Sequence, residues 1–424
     1  MPLTPYSRVG NLHPFESHSV IPTSLSFSTP LSADFIHGAV EIERTEAGYL
    51  PHRLPGWARA QHGDAQLTMA ESQASGVRLV FRTAATTLEL LTLPTKRVYG
   101  NMPPRKDGVY DLFTDGRLTH QLSASGGNAL HINMATGAVA LLPGTVQALR
   151  FDGLAAGHKT IEIWLPHDET TELVALGSDA SVTPVTVPVA RRWVHHGSSI
   201  SQGSNAAHPS GTWPAVAATR AAVDLVNLGF GGNALLDPFT ARTIRDLPAD
   251  LISVKIGINL VNTDVMRLRA FIPAVHGFLD TVREGHPTTP LVIVSPTFCP
   301  IHEHRPGPTA FDTAALAEGR LLFMASGAEG DIKQGKLTLT VIRDQLQAIV
   351  RQRAKTDVNI HYLNGTELYG QIDNERHPLP DALHPDTPTH RLIGERFADA
   401  VLARERFSPV SPPEPSSQHS GLRS

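Results

Sequence analysis

The hydrophobic pattern of this chain changes near the Thr-, Val- and Pro-rich stretch at 181–190. Before this stretch, short segments alternate apolar and polar residues with the two-residue period of half-buried strands. After it, short apolar runs alternate with longer segments of helical length. This change predicts two domains of different class, an N-terminal one over 1–185 and a second one over 190–407.

The N-terminal part is predicted to be an all-β sandwich of jelly-roll-like type, because it has many short strands, Gly/Pro turns and almost no helical period. Asp115-Gly116 is typical of a tight hairpin turn, since glycine accepts a positive φ. The clearest predicted strands are Val77–Arg82, Leu88–Leu90, Val109–Phe113 and Thr160–Leu165.

The second part has the strand, turn, helix alternation of an α/β fold, which builds a parallel sheet covered by helices on both faces. Helices are predicted over 212–222, 263–284 and 335–355. Ligand and catalytic groups in such sheets lie at the carboxyl ends of the strands. The predicted strands are Arg192–His196, Val223–Leu228, Leu251–Ile256, Leu291–Ser295 and Val358–Leu363.

Composition excludes several classes of protein. The chain has 424 residues with 36 Lys and Arg against 40 Asp and Glu, so a net charge of −4 argues against a nucleic-acid partner. Cys299 is the single cysteine, which excludes an intrachain disulfide and a cysteine-based metal site.

The N-terminus has no signal-peptide pattern, and no apolar run approaches the roughly 18 residues of a membrane span, so a cytoplasmic protein with no membrane partner is expected. The Pro/Ser-rich segment 408–424 is predicted to be a disordered tail.

The first strand of the second part runs directly into Gly197-Ser198-Ser199, and a helix follows. A serine at a strand-to-helix turn has an exposed hydroxyl beside the free N–H groups of the helix start, which suits a nucleophile. Taken alone, such a turn is more often just a turn with an N-cap serine.

A serine nucleophile needs a base and a group that orients the base. Asp381-x-x-His384 lies after the last predicted strand, and its spacing allows one turn to place the carboxylate beside the imidazole. With 21 histidines in the chain, this motif by itself could also arise by chance.

Two further strand ends carry candidate oxyanion donors. Gly232 could supply a backbone N–H and Asn259 a side-chain amide, which together with the N–H of Ser199 would make a three-donor oxyanion hole. Glycine and asparagine also follow strands as ordinary turn residues, so the argument depends on all the elements occurring together in this order.

These segments resemble the four motif blocks of the SGNH (GDSL-like) hydrolase superfamily over residues 191–407. The matching residues are Gly197-Ser198-Ser199 with Gly203, then Gly232, Asn259, and Asp381-x-x-His384-Pro385. The resemblance implies that Ser199, His384 and Asp381 form the triad and that Ser199, Gly232 and Asn259 form the oxyanion hole. It also implies a flavodoxin-like three-layer α/β/α domain with about five parallel strands, as in two-domain carbohydrate esterases and acyltransferases. Ser198 and Leu260 depart from the aspartates common in that family, which bears on subfamily and substrate.

The expected function is a serine esterase that cleaves a carboxylic ester of a small molecule or carbohydrate through an acyl-serine intermediate, with no metal and no cofactor. One alternative is an acyltransferase with the same site, and another is a catalytically inactive carbohydrate-binding or scaffold protein. The N-terminal domain could be carbohydrate-binding-like, and the oligomeric state is not predicted. His302 and His304 are interpreted as pocket-wall or surface residues, and Trp57 and Trp164 as core residues of the sandwich.

Overall fold

The chain is described by a computed structural model over residues 25–100, 105–133, 136–185 and 191–403. The predicted tail at 408–424 lies outside the described residues, as do positions 186–190 of the predicted domain boundary. The position of that boundary stays a prediction.

The first part of the chain is rich in strands, as predicted. The strands described there are β1 (Phe27–Thr29), β2 (Ile36–His37), β3 (Glu41–Arg44), β4 (Tyr49–His52), β5 (Arg78–Thr83), β6 (Leu88–Tyr99), β7 (Val109–Thr114), β8 (Arg117–Ser123), β9 (Asn128–Ile132), β10 (Val139–Leu142), β11 (Gln147–Phe151), β12 (Lys159–Trp164), β13 (Thr170–Ser178) and β14 (Val182–Pro184).

These strands form two mostly antiparallel sheets. One has the order β10-β9-β6-β13-β4-β3, with β1 on β13 and β11 on β6, and the other has the order β14-β5-β12-β7-β8, with β2 on β5. Phe81 of β5 and Leu90 of β6 belong to one buried apolar cluster, so the sheets share a core. The predicted hairpin is confirmed, because Asp115 and Gly116 connect β7 to β8 with φ of 48° and 77°.

The second part contains a parallel sheet of five strands, which confirms the α/β fold class. The strands of this part are β15 (Arg192–Gly197), β16 (Asp224–Gly229), β17 (Leu251–Lys255), β18 (Leu291–Val294), β19 (Thr309–Phe311), β20 (Phe323–Ala325) and β21 (Ile360–Leu363). The order β16-β15-β17-β18-β21 is the flavodoxin-like order 2-1-3-4-5. β19 and β20 form a separate hairpin.

The α-helices described are α1 (Gly56–Arg59), α2 (Ala65–Ser72), α3 (Ser199–Gln202), α4 (Trp213–Ala221), α5 (Pro238–Asp246), α6 (Ile258–Asn262), α7 (Leu268–Gly285), α8 (Thr313–Ala317), α9 (Leu339–Arg353), α10 (Gly365–Leu368), α11 (Gln371–Arg376) and α12 (Thr387–Phe397). Short 3-10 segments lie at Ala33–Phe35, Pro209–Gly211 and Glu329–Gln334, and a π-helical turn at Ala398–Leu402. Within the described ranges, every helix is too short or too polar to span a bilayer.

The predicted helix over 263–284 corresponds to α7, which begins later, at Leu268. Asp264 has a φ of 51°, in the left-handed region, and lies in the turn between α6 and α7. α9 begins where a cap favours it, because the hydroxyl of Thr338 accepts a hydrogen bond from the N–H of Val341.

The apolar core of the parallel sheet extends into the first part of the chain. Leu54, Leu67 and Ala70, from α2 and the segment before it, belong to the same buried cluster as the sheet strands. Trp164 is buried, as predicted, but the prediction that Trp57 is a core residue is wrong. Trp57 is 40% exposed on α1, outside the two sheets, where the guanidinium of Arg242 lies 5.1 Å from its ring centre.

Candidate active site

Ser199 is the first residue of α3, directly after the carboxyl end of β15. Ser198 is the N-cap, and its hydroxyl accepts a hydrogen bond of 3.3 Å from the N–H of Ile200. Serine can therefore fill the capping role that an aspartate would fill at this position. Gly197 needs to be glycine, since a Cβ there would lie 2.2 Å from the hydroxyl oxygen of Ser201.

Ser199, His384 and Asp381 form a continuous hydrogen-bonded chain. The Oγ of Ser199 lies 2.9 Å from Nε2 of His384. On the other side of the ring, Nδ1 of His384 lies 2.8 Å from Oδ2 of Asp381. The structure therefore brings Ser199 together with two predicted residues that lie more than 180 positions later in the sequence. The arrangement is that of a nucleophile, a base and an orienting carboxylate.

Asp381 is held in place by four donors, of which the His384 ring is one. Its Oδ1 accepts hydrogen bonds from the N–H groups of Leu383 (2.9 Å) and His384 (2.6 Å). Its Oδ2 also accepts a hydrogen bond of 2.9 Å from the side-chain amide of Asn205, a residue that sequence analysis missed. Burial opposes ionisation of this carboxyl, but the hydrogen bonds and the nearby imidazole outweigh burial and lower the pKa of Asp381. It is therefore a carboxylate at neutral pH.

The two other predicted oxyanion residues face the same cavity as Ser199. Asn259 lies in the first turn of α6 and is only 1% exposed. Its Oδ1 accepts a hydrogen bond of 3.0 Å from the N–H of Ala234, which leaves the amide N–H groups as the donating end. Gly232 has a φ of 79°, a conformation that favours glycine, in the loop after β16.

The loop that carries Gly232 is held by Gln202, a second residue that sequence analysis missed. Oε1 of Gln202 accepts a hydrogen bond of 2.7 Å from the N–H of Gly231, and its amide donates to the side chain of Gln73. The amide of Gln66 donates to the carbonyl of Gly231 at 3.2 Å. The first part of the chain therefore helps to fix the backbone of this loop.

Arg53 adds a buried connection between the same two parts. Its guanidinium donates to the carbonyl groups of Ala70 and Gln73 on one side. On the other side it donates to the carbonyls of Asn227 at 3.1 Å and Gly229 at 2.5 Å, at the end of β16. Because these bonds are made to main-chain oxygens of both parts, Arg53 fixes the segment before α2 against the strand that leads into the Gly232 loop.

Residues of both parts line a cavity of about 400 Å³ above Ser199. Its floor carries Ser199, Gly232, Asn259 and His384. One wall is aromatic, because the ring of Phe323 lies edge-on to the His384 ring at 5.7 Å between centres. The first part of the chain also contributes to the lining, through Gln66, Ala70, Gln73, Arg97, Tyr99, His167 and Asp168.

Four other groups of the second part could carry chemistry, and the structure gives the surroundings of each: His302, His304, His195 of β15 and Cys299. Nε2 of the buried His302 lies 2.6 Å from the hydroxyl of Thr309, and His304 is exposed. The two ring nitrogens of His195 lie within 2.8 Å of the hydroxyls of Ser253 and Ser201. Burial raises the pKa of Cys299 to about 12 and so keeps its thiol protonated. In the part of the chain that the structure describes, no three His, Cys, Asp or Glu side chains are grouped so as to hold a metal ion.

Residues 190–300 match the model of the GDSL-like lipase/acylhydrolase family. This segment includes Ser199, Gly232 and Asn259, whereas Asp381 and His384 follow it. No curated protein matches the chain.

Solved structures resemble nearly the whole chain. A salicylyl-acyltransferase, SsfX3, from a tetracycline biosynthetic pathway is 27% identical over 85% of this chain and 92% of its own, with a TM-score of 0.69. A protein described as a GDSL-like lipase from Bacteroides ovatus is 17% identical over 86% of this chain and 94% of its own, with a TM-score of 0.62. A family two carbohydrate esterase from Clostridium thermocellum is 13% identical over 77% and 92%, with a TM-score of 0.52.

The last two similarities show the fold, in which a strand-rich first part precedes the five-stranded α/β part. The family match covers the nucleophile turn of that α/β part. The chain is therefore similar to the GDSL-like lipase/acylhydrolase family over its nucleophile segment and to SGNH-type structures over most of its length.

Proposed function

We propose that the protein is a serine esterase that cleaves a carboxylic ester through an acyl-Ser199 intermediate. The observation that carries the proposal is the hydrogen-bonded chain from Ser199 through His384 to the ionised Asp381. This chain opens into a cavity large enough for a small-molecule ester.

In the first step, Oγ of Ser199 attacks the ester carbonyl carbon while Nε2 of His384 takes the hydroxyl proton. Asp381 stabilises the imidazolium that forms and holds the ring in the correct tautomer. The tetrahedral intermediate then expels the alcohol, which receives the proton from His384. In the second step, His384 removes a proton from water as the water oxygen attacks the acyl carbon. The second tetrahedral intermediate then breaks its bond to Oγ of Ser199, His384 returns the proton to Oγ, and the carboxylic acid leaves.

The negative charge of each tetrahedral intermediate lies on the former carbonyl oxygen. In the proposal this oxygen accepts hydrogen bonds from the N–H groups of Ser199 and Gly232 and from the amide of Asn259. Such donors stabilise a transition state without reorganisation, because the fold fixes them before the substrate binds.

A second candidate is an acyltransferase, in which the hydroxyl of a small molecule such as a natural product or a sugar replaces water in the second step. The similarity to the salicylyl-acyltransferase favours this candidate. Both reactions share the acyl-enzyme, so they differ only in the acceptor that reaches it.

The test is hydrolysis of p-nitrophenyl acetate and butyrate by the wild type and the Ser199→Ala variant, with mass spectrometry for an acyl adduct. We expect Ser199→Ala to lose adduct and turnover, by a factor of about 10⁴ or more. Ser204→Ala is the matched control, since Ser204 lines the same cavity without belonging to the triad. A Ser199→Ala variant that keeps wild-type turnover would refute the proposal.

The same assay separates the two candidates. Rapid steady turnover in water supports the esterase. An adduct that forms but persists until a hydroxyl compound is added supports the acyltransferase. Glycan binding that survives Ser199→Ala, with neither adduct nor turnover, would instead support the binding-protein alternative.

A further inference from the structure

The cavity lining that the first part of the chain supplies carries an unusual set of polar groups. Arg97 and Tyr99 lie at the end of β6, and His167 and Asp168 lie in the turn between β12 and β13. None of these residues belongs to the proposed triad or oxyanion hole. Their side chains therefore need a separate explanation.

Arg97 has an incomplete set of hydrogen bonds. Its Nη2 contacts the carbonyl of Asp168 at 3.5 Å, and its side chain also hydrogen-bonds to that of Tyr99. Its Nε is buried with no hydrogen-bond partner among the described residues. Burial lowers the pKa of Arg97, although an arginine stays protonated in proteins. A guanidinium that lines a cavity and has few hydrogen bonds within the protein is suited to bind an oxygen anion.

One carboxylate in the cavity lining interacts with Arg97. Among the described residues that line it, Asp168 carries the single carboxylate, and Arg97 is the single lysine or arginine. The carboxylate of Asp168 is already paired with the guanidinium of Arg105, which lies outside the lining. The carboxylate of Asp168 is therefore shared between the guanidinium groups of Arg105 and Arg97.

His167 adds a neutral polar group to the same wall. Its side chain is buried, with the residue 4% exposed, and Nδ1 has no hydrogen-bond partner among the described residues. Burial lowers the pKa of His167, so the ring is neutral at pH 7 and can donate one hydrogen bond or accept one. A buried nitrogen without a partner is costly unless a ligand supplies one.

We infer that Arg97, with Tyr99 and His167, forms a subsite for an oxygen anion carried by the substrate, such as a carboxylate, sulfonate or phosphate. This inference rests on the proposed function, because it assigns a substrate class to the same cavity. The anion can belong to the acyl group or to the leaving group. The chemistry of recognition is the same in both cases.

The experiment compares esters that are matched except for the charge. For the acyl group, the pair is p-nitrophenyl hydrogen adipate and p-nitrophenyl hexanoate. For the leaving group, the pair is 4-(2-carboxyethyl)phenyl hexanoate and 4-propylphenyl hexanoate, in which two methylene groups separate the charge from the ring and keep the leaving-group reactivity similar. We expect the wild type to prefer the charged ester of at least one pair by about tenfold or more in kcat/KM, the range of a charge-assisted hydrogen bond. The pair that shows the preference identifies the source of the anion.

Three variants test the assignment to Arg97. Arg97→Met should abolish the preference while kcat/KM for the neutral esters stays within about threefold. Asp168→Asn should increase the preference, because it removes the carboxylate of the wall, and a gain of this kind cannot result from poor folding. Arg117→Met is the control for the loss of one positive charge, since Arg117 is exposed on β8 and does not line the cavity.

Two results would overturn the inference. One is a wild type that prefers neither charged ester, and the other is an Arg97→Met variant that slows charged and neutral esters equally.

Calorimetric titration of the same esters into the Ser199→Ala variant tests the subsite without turnover. If the wild type hydrolyses no ester but Ser199→Ala binds a charged ester more tightly than its neutral partner, only the proposed function fails. Equal binding of the two would reject the subsite.

Discussion

The proposed oxyanion role of Asn259 can be tested with one substitution. The carbonyl oxygen of its side chain is held by the N–H of Ala234 at 3.0 Å, so the amide N–H groups are the end available to the cavity. Asn259→Ala removes that donor and leaves the Ala234 N–H without its partner. Loss of one such donor costs about 10²–10³ in kcat, or about 2.7–4 kcal/mol of transition-state stabilisation. The unpaired N–H should also lower the free energy of unfolding by about 1–3 kcal/mol.

The assay is steady-state hydrolysis of p-nitrophenyl butyrate at a temperature where urea titration shows both proteins fully folded. Because the interaction is made mainly in the transition state, kcat should fall while KM changes little. Asn262→Ala is the matched control, since Asn262 lies one turn further along α6, lines the same cavity and accepts a hydrogen bond from Thr309. If Asn259→Ala keeps kcat within about threefold of the wild type, the oxyanion assignment is wrong.

Two further predictions follow from buried polar contacts. Gln202→Leu breaks the hydrogen bond to the N–H of Gly231. It should lower kcat by about tenfold and the free energy of unfolding by about 1–3 kcal/mol. If steady-state kinetics and urea titration show both values unchanged, Gln202 does not anchor the loop. Burial lowers the pKa of His390 to about 4 in the folded state, against an ordinary value of 6.5 for a solvated histidine. Between these values the unfolded chain binds a proton that the folded chain does not, so His390 should destabilise the protein by about 2 kcal/mol at pH 5 relative to pH 7.5. Equal free energies of unfolding at the two pH values would contradict this.

The parallel sheet could be predicted because its strands are buried on both faces. Leu291–Val294 is an uninterrupted apolar run, and the predicted strand differs from β18 by one residue. The carboxyl ends of such strands share one edge, so residues that follow different strands could be expected to meet. Asp381 and His384 lie within one turn, and their contact depends on local geometry alone.

The supporting residues could not be predicted, because their roles depend on contacts distant in sequence. Asn205 and Asp381 are 176 positions apart, and Gln202 and Gln73 are 129 apart. No local pattern distinguishes these amides from surface amides. The one available signal was the position of Gln202 in the same short helix as the nucleophile. Trp57 was misassigned for a related reason, since burial of an aromatic residue outside a clear period depends on the tertiary fold.

The cavity lining is built on two different frameworks. Ser199 and His384 lie on the α/β part, whereas Arg97, Tyr99 and His167 lie at strand ends and a turn of the sandwich. A substitution in the second group leaves every hydrogen bond of the triad in place. Descendants of one ancestral enzyme can therefore diverge in the ester they accept while inheriting the same bond-breaking chemistry. For the same reason, a library randomised at these three sandwich positions is a direct route to altered selectivity.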